Sequence, residues 1–260
     1  MLALISPAKT LDYDTPIALK DYSQPRFLKD SGELISTLSP YSPKRVGKLM
    51  NLSDKLSKLN AERYKSWQTP FTPDNARQSI LAFKGDVYLG LDAQTLTKRD
   101  LNFAQKNLRI LSGLYGVLRP LDLMQPYRLE MGTKLKTKRG KNLYDFWGDQ
   151  ITDSLNEECA QDKHKTVVNL ASIEYFSAVD SKNLDASLIT PAFLDEKNGE
   201  LKMISFFAKK ARGSMARYLI QERVKTAKGV TGFNRDGYRY DSSLSSEEKP
   251  VFTRTENWQQ

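Results

Sequence analysis

Lys209, Lys210, Arg212 and Arg217 are the residues of this chain best placed to hold phosphate groups. At about 100° per residue they share one arc of a helical pattern with Arg223, while Phe207, Ala208, Ala211, Met215, Tyr218 and Leu219 take the other. A helix packed by its apolar arc would present those cations as a ridge. Arg suits bidentate phosphate contacts, and Lys acts as a point charge. Lys202 to Lys228 carries eight Lys or Arg against one acid, Glu222. A merely solvated face would intersperse acids, and they are nearly absent here. Gly213 interrupts the pattern at a cost of about 1 kcal/mol relative to Ala, so a neighbouring strand or a ligand is expected to approach the backbone there.

Leu111 to Gly132 is the second candidate. It sets two glycines three residues apart, two prolines, two arginines and a glutamate among apolar anchors. A stretch both apolar and broken fits a buried turn that holds one shape. It also fits a helix-hairpin-helix, with Gly113, Tyr115 and Gly116 in the hairpin. Backbone N–H groups at a helix N-terminus there would bind a DNA phosphate without reading sequence. The usual hairpin has Gly-x-Gly; Gly113-Leu-Tyr-Gly116 is one residue longer, and Pro120 limits a second helix. Arg119 and Arg128 would add charge. Arg128 and Glu130 can equally pair with each other as a structural bridge. The basic run Lys134 to Lys141 follows directly.

A different chemistry is open to Lys9, Glu174 and Tyr175. Val167 to Leu170 reads as a strand, which sets Ser172, Glu174 and Tyr175 at a strand's carboxyl end, where α/β-type sites form. With Lys9, Lys209 and Arg212 they could line the pocket of an enzyme acting on a nucleotide or nucleobase, with a desolvated lysine as nucleophile.

Other motifs fall short. Ser6-Pro-Ala-Lys9 has the Ser-x-x-Lys spacing of penicillin-binding enzymes without their partner motifs. There is no phosphate loop and no Gly-x-Gly-x-x-Gly. The one histidine, His164, lies in a polar stretch, and the one cysteine, Cys159, lies beside two glutamates that would raise its pKa. No metal site and no cofactor are expected. Direct iron binding has too few ligands behind it.

The elements that position these residues mix without a regular β-α-β period. Leu2 to Ile5, Leu108 to Leu111 and Val167 to Leu170 read as strands. Arg26 to Leu38, Pro43 to Met50 behind the cap Ser42, a stretch capped by Ser53, and Thr97 to Lys106 read as helices. Thr72-Pro73 repeats the cap-then-Pro signal. Asn142 to Leu155 reads as one long helix. Asn198-Gly199 turns a hairpin between Ile189–Phe193 and Leu201–Phe207, and a second hairpin is expected around Asn234 to Gly237. The expected fold is α+β, one domain over residues 1–260, with a mixed sheet flanked by helices.

The net charge of +9 over 260 residues points to a polyanionic partner, nucleic acid first. A single cysteine excludes an intrachain disulfide and fits a reducing compartment. No run is apolar enough for a membrane span or a signal peptide, so a cytoplasmic protein with no membrane partner is expected.

Six strings recur in an order specific to one family: Ser6-Pro-Ala-Lys-Thr-Leu11, Ala82-Phe-Lys-Gly-Asp-Val-Tyr88, Leu111 to Asp122, Gln125-Pro-Tyr-Arg-Leu-Glu-Met131, Asn169-Leu-Ala-Ser172 and Phe207-Ala-Lys-Lys-Ala-Arg-Gly213. In them the chain resembles the bacterial YaaA peroxide-stress family, most loosely after Tyr240. The resemblance implies a protein induced by hydrogen peroxide that helps limit free intracellular iron and the damage to DNA that follows. It further implies binding to duplex or branched DNA through a basic cleft and a helix-hairpin-helix, on an unusual α+β fold. It implies no catalytic activity.

Overall fold

The apolar run at the start of the chain is the middle strand of the principal sheet. Leu2–Ile5 (β1) is buried along its whole length, as a strand covered on both faces must be. The computed structural model describes residues 1–256 and 258. Leu108–Ser112 (β2), Gly116–Leu118 (β3), Thr166–Leu170 (β4) and Ser187–Ile189 (β5) complete a five-stranded sheet in the order β3-β2-β1-β4-β5. β1 runs parallel to β2 and β4, β4 runs parallel to β5, and β3 returns antiparallel to β2.

A second sheet holds Ala192–Lys197 (β6), Glu200–Lys202 (β7), Arg239–Tyr240 (β8) and Val251–Arg254 (β9), in the order β7-β6-β9-β8. Asn198 and Gly199 turn the β6–β7 hairpin at φ values of 54° and 76°, as a two-residue turn of this kind requires. Mixed sheets with helices packed on them make this an α+β fold, and one continuous hydrophobic core runs from Met1 to Phe252.

The helices that matter below are Leu28–Leu38 (α1), Pro43–Met50 (α2), Asp54–Ser66 (α3), Asp86–Leu91 (α4), Lys98–Asn107 (α5), Leu143–Trp147 (α6), Gln150–Cys159 (α7), Ile173–Phe176 (α8) and Ser205–Gln221 (α9). Their starts follow local chemistry. Ser42 and Ser53 accept backbone N–H bonds as N-caps of α2 and α3. Thr97 and Asp100 close a capping box on α5. No helix among the described residues is long and apolar enough to cross a membrane.

Several expectations are corrected. Leu111 to Leu118 is a β-hairpin between β2 and β3, not a helix-hairpin-helix. The apolar residues from Leu108 join the sheet, and Gly116 turns the chain at a φ of 67° with the Trp147 ring against it. Asn142 starts two helices rather than one, because Gly148 leaves the helix at a φ of 47°. The second arm of the Asn198-Gly199 hairpin stops at Lys202, and α9 begins at Ser205. Asp236 and Gly237 do form a turn, but β8 pairs with β9 across a longer excursion. Thr72-Pro73 opens only a turn, in which the Ala76 N–H donates to the Thr72 carbonyl at 2.9 Å.

Candidate functional site

From β1 the chain crosses to β2 on one side, and it later arrives at β4 on the other. In open parallel sheets such a switch opens a crevice beyond the carboxyl ends of the strands. Here that end gathers polar side chains from four segments. The Ser172 N–H donates to Ser6 Oγ at 2.8 Å, and Ser6 Oγ donates to Ser172 Oγ at 3.3 Å. Tyr88 Oη, from α4, donates to the Ser6 carbonyl at 3.2 Å. Lys9 Nζ lies 2.7 Å from Glu130 Oε2, and Arg128 Nη2 lies 3.2 Å from Glu130 Oε1. The Gly132 N–H donates to Glu174 Oε1 at 2.9 Å.

Lys9, Arg128, Glu130, Glu174 and Tyr175 therefore do meet at one end of the sheet. The Arg128–Glu130 bridge read from the sequence exists, and Lys9 shares it. Burial pushes the Tyr175 phenol well above its ordinary pKa; Tyr127, Glu174 and Glu130 nearby add to this, against a hydrogen bond from the Met131 backbone. Tyr175 is thus a hydrogen-bond donor at neutral pH. The Lys9 side chain is 61% exposed and bound to Glu130, so it lacks the desolvated surroundings of a nucleophilic lysine. Ser6 and Tyr88 were not singled out for this site from the sequence, since nothing in their spacing ties them to Ser172.

The cations of α9 differ in exposure and in what they bind. Lys209 is exposed, 4.0 Å from Asp86 at the start of α4. Lys210 is half-buried. Arg212 is half-buried too, and burial lowers its pKa. Arg217 is committed to the protein itself. Its Nη1 donates to the carbonyls of Leu91 and Asp92 at 2.9 and 2.7 Å, and its Nη2 to Thr95 Oγ1 at 2.7 Å. It closes the C-terminal end of α4, where free carbonyls favour a cation. Gly213 does meet a close approach, but from the backbone of α4 rather than from a strand or ligand.

Gly113, Tyr115 and Gly116 are buried in the β2–β3 turn. The Tyr115 N–H donates to Ser112 Oγ at 3.0 Å, and the Gly113 carbonyl accepts from Trp147 Nε1 at 3.1 Å. Arg119 lies beyond β3, at the amino end of β2, and donates to Asp122 and to the Gln24 carbonyl. The structure thus sets Arg119 and Arg128 at opposite ends of the principal sheet.

The cationic surface best exposed is the run after Gly132. Thr133 and Leu135 are buried, while Lys134, Lys136, Lys138 and Lys141 point to solvent and make no ion pair among the described residues. Arg139, in the same run, is tied to Asp30 and Glu33 of α1 at 2.7 Å each. The run starts on Glu174, at the strand ends, so it continues the site that Lys9 and Arg128 begin. The alternation Thr-Lys-Leu-Lys was the available signal for it, since period-two patterns send alternate side chains to opposite sides.

Compared with known families, residues 1–244 match the model of the family described as peroxide stress protein YaaA. The match covers nearly the whole chain, and the chain belongs to that family.

Proposed function

We propose, from membership in the peroxide stress protein YaaA family, that this protein acts in the oxidative stress response as a cytoplasmic DNA-binding protein. It binds duplex or branched DNA largely without sequence specificity and helps to limit free intracellular iron and DNA damage. The observation that carries the DNA part is the row Lys134, Lys136, Lys138 and Lys141: four exposed ammonium groups without acidic partners among the described residues, running out from the strand-end site. Lys209, 4.0 Å from Asp86, is the exposed cation among those named on α9. Lys210 and Arg212 are half-buried and closer to the core. The iron part rests on the family alone.

Fluorescence anisotropy with duplex and branched DNA at stepped salt tests this reading. Log K should fall linearly with log salt, by about 0.9 per phosphate neutralised. The variant Lys134→Glu/Lys136→Glu/Lys138→Glu should bind at least about tenfold more weakly, with a shallower slope. A flat salt response, or full affinity in that variant, overturns it.

Lys9, Glu174 and Tyr175 converge as an enzyme acting on a nucleotide or nucleobase would need, and this is the second reading, although the exposure of Lys9 and its ion pair with Glu130 count against a nucleophilic lysine. Borohydride trapping on DNA with a damaged base separates the two. A covalent adduct at Lys9 supports the enzyme, and its absence supports binding alone.

A further inference from the structure

Arg77 is 7% exposed, and its charge has no counter-ion in the protein. Its Nε donates to the Leu81 carbonyl at 3.3 Å. Its two terminal nitrogens have no hydrogen-bond partner among the described residues, and both keep accessible surface. The carboxylates nearby are spent. Asp21 is bound to Lys98 at 3.0 Å. Asp12 is close enough to feel the charge of Arg77 but lies beyond ion-pair distance. Its oxygens accept from the Thr15 N–H at 3.0 Å, Thr15 Oγ1 at 2.8 Å and the Asp14 N–H at 3.2 Å. Arginine is almost never buried unpaired, and an uncompensated buried charge is costly. A guanidinium held in this way implies an anion that the chain does not supply.

The surroundings of Arg77 select that anion. Arg77 and Gln78 pair antiparallel with Leu123 and Met124, which fixes their backbone. Gln78 Nε2 donates to the Leu19 and Asp21 carbonyls at 3.2 and 3.0 Å, and so fastens the segment from Leu19 to Asp21 beside Arg77. Arg77 lines a cavity of about 420 Å³ whose walls include Ile17, Leu19, Leu81, Leu96 and Leu101. No acid lines it, and Lys98 in its wall is already bound to Asp21. Arg77 is therefore the unspent cation of an otherwise apolar lining. A second cavity that Arg77 touches, of about 730 Å³, has Asp14 and Asp74 in its wall, and these disfavour an anion there.

We propose that the 420 Å³ cavity binds a small monocarboxylate with an apolar body. The carboxylate accepts from the two terminal nitrogens of Arg77 side by side, as the planar fork of a guanidinium favours. The body fills the space between the leucines. A mostly apolar cavity with one oriented charge has the composition of a small-molecule site. One guanidinium balances one negative charge, so a phosphate dianion would stay half-neutralised among apolar walls. No residue of the strand-end site or of the basic row after Gly132 lines this cavity, and the proposal does not depend on DNA binding.

Isothermal titration of the full chain at pH 7 with hexanoate, hexanamide and acetate tests the proposal. Hexanoate should bind at one site. Hexanamide, which keeps the body and lacks the charge, should bind at least about tenfold more weakly. Acetate, which keeps the charge and lacks the body, should also bind at least about tenfold more weakly. Arg77→Met keeps an apolar stem and removes the charge. Hexanoate should then bind no better than hexanamide, and it should raise the thermal unfolding midpoint of the unaltered protein but not of this variant. The ligand-free midpoint of Arg77→Met should not fall, because the variant removes an uncompensated buried charge. If that variant fails to fold, the three probes on the unaltered chain decide alone. No saturable hexanoate uptake, equal affinity for hexanoate and either other probe, or undiminished hexanoate binding by Arg77→Met overturns the proposal. A cavity filled only by water gives the first of these results.

Discussion

Gly90 of α4 and Gly213 of α9 are the two points at which these helices meet backbone to backbone. A Cβ added at Gly213 would lie 1.8 Å from the Val87 carbonyl oxygen, and one added at Gly90 would lie 2.1 Å from the Lys210 carbonyl oxygen. The obstruction is main chain on both sides, so no rotamer change relieves it. This crossing fixes how α9 lies against α4, and with it where Lys209 stands relative to Asp86 and Arg217 relative to the end of α4.

Gly213→Ala is therefore expected to destabilise the protein by about 2–4 kcal/mol, despite the better helix propensity of alanine. Urea unfolding checks this. An unchanged midpoint would mean that the helices separate without penalty. The same substitution at Gly199, where nothing lies within 4 Å of the added carbon, should cost only the strain of its positive φ.

The outcome at Gly213 shows what the sequence could and could not reveal. A glycine inside an amphipathic helix announced a close approach, but its partner is set by tertiary packing, which periodicity does not encode. Strand identity was readable at Leu2–Ile5 and Val167–Leu170, because strands buried on both faces are short, mostly apolar runs. Helix starts were readable at Ser42, Ser53 and Thr97, because the cap is a local hydrogen bond. The β2–β3 turn stays open in the sequence between a buried turn, which the structure has, and a helix-hairpin-helix, because Gly113 and Gly116 suit a turn of either kind. The choice between them rests on Leu108–Ser112 pairing with β1, a contact more than a hundred residues away in sequence. The α9 ridge was overestimated for a similar reason. Composition counts Arg217 as a free cation, while the fold spends it on carbonyls.

Arg217→Ala should consequently act on stability rather than on DNA. Removing it leaves the Leu91 and Asp92 carbonyls without their guanidinium, and a loss of about 1–2 kcal/mol is expected. Affinity for DNA should stay within about twofold, whereas the three-lysine variant after Gly132 loses at least about tenfold. Anisotropy and thermal unfolding on both variants give the contrast. A large affinity loss with unchanged stability in Arg217→Ala would return this residue to the DNA surface.

Asp100 supplies a pH dependence. It accepts from the Thr97 N–H at 3.0 Å, from Thr97 Oγ1 at 2.7 Å and from Arg223 Nη2 at 2.7 Å. Burial pushes its carboxyl up, but the hydrogen bonds from Thr97 and Arg223 outweigh that, and its pKa lies below the ordinary value. A carboxylate with a depressed folded pKa stabilises the fold above its unfolded pKa, and it loses that contribution as pH falls through the folded value. Asp100→Asn should therefore cost about 1–2 kcal/mol at pH 7. The difference from the unaltered protein should close below about pH 4. Unfolding curves across that range decide it, and a gap independent of pH would remove the ionised carboxylate from the account.

Cys159 invites a redox role in a peroxide stress protein, and its surroundings argue against one. It sits at the end of α7, 1% exposed, and burial pushes its thiol above the ordinary pKa. The thiolate is the form that peroxide and disulfide reagents attack, and here it is both scarce and covered. Reaction with an aromatic disulfide should be at least about a hundredfold slower in the native protein than in urea. Mass spectrometry after peroxide treatment of the folded chain should find Cys159 unmodified. Cys159→Ala should lose about 1 kcal/mol from the small cavity it leaves, with DNA affinity unchanged. Rapid native modification, or loss of DNA binding on oxidation, would instead make this thiol a switch and require α7 to open on the way.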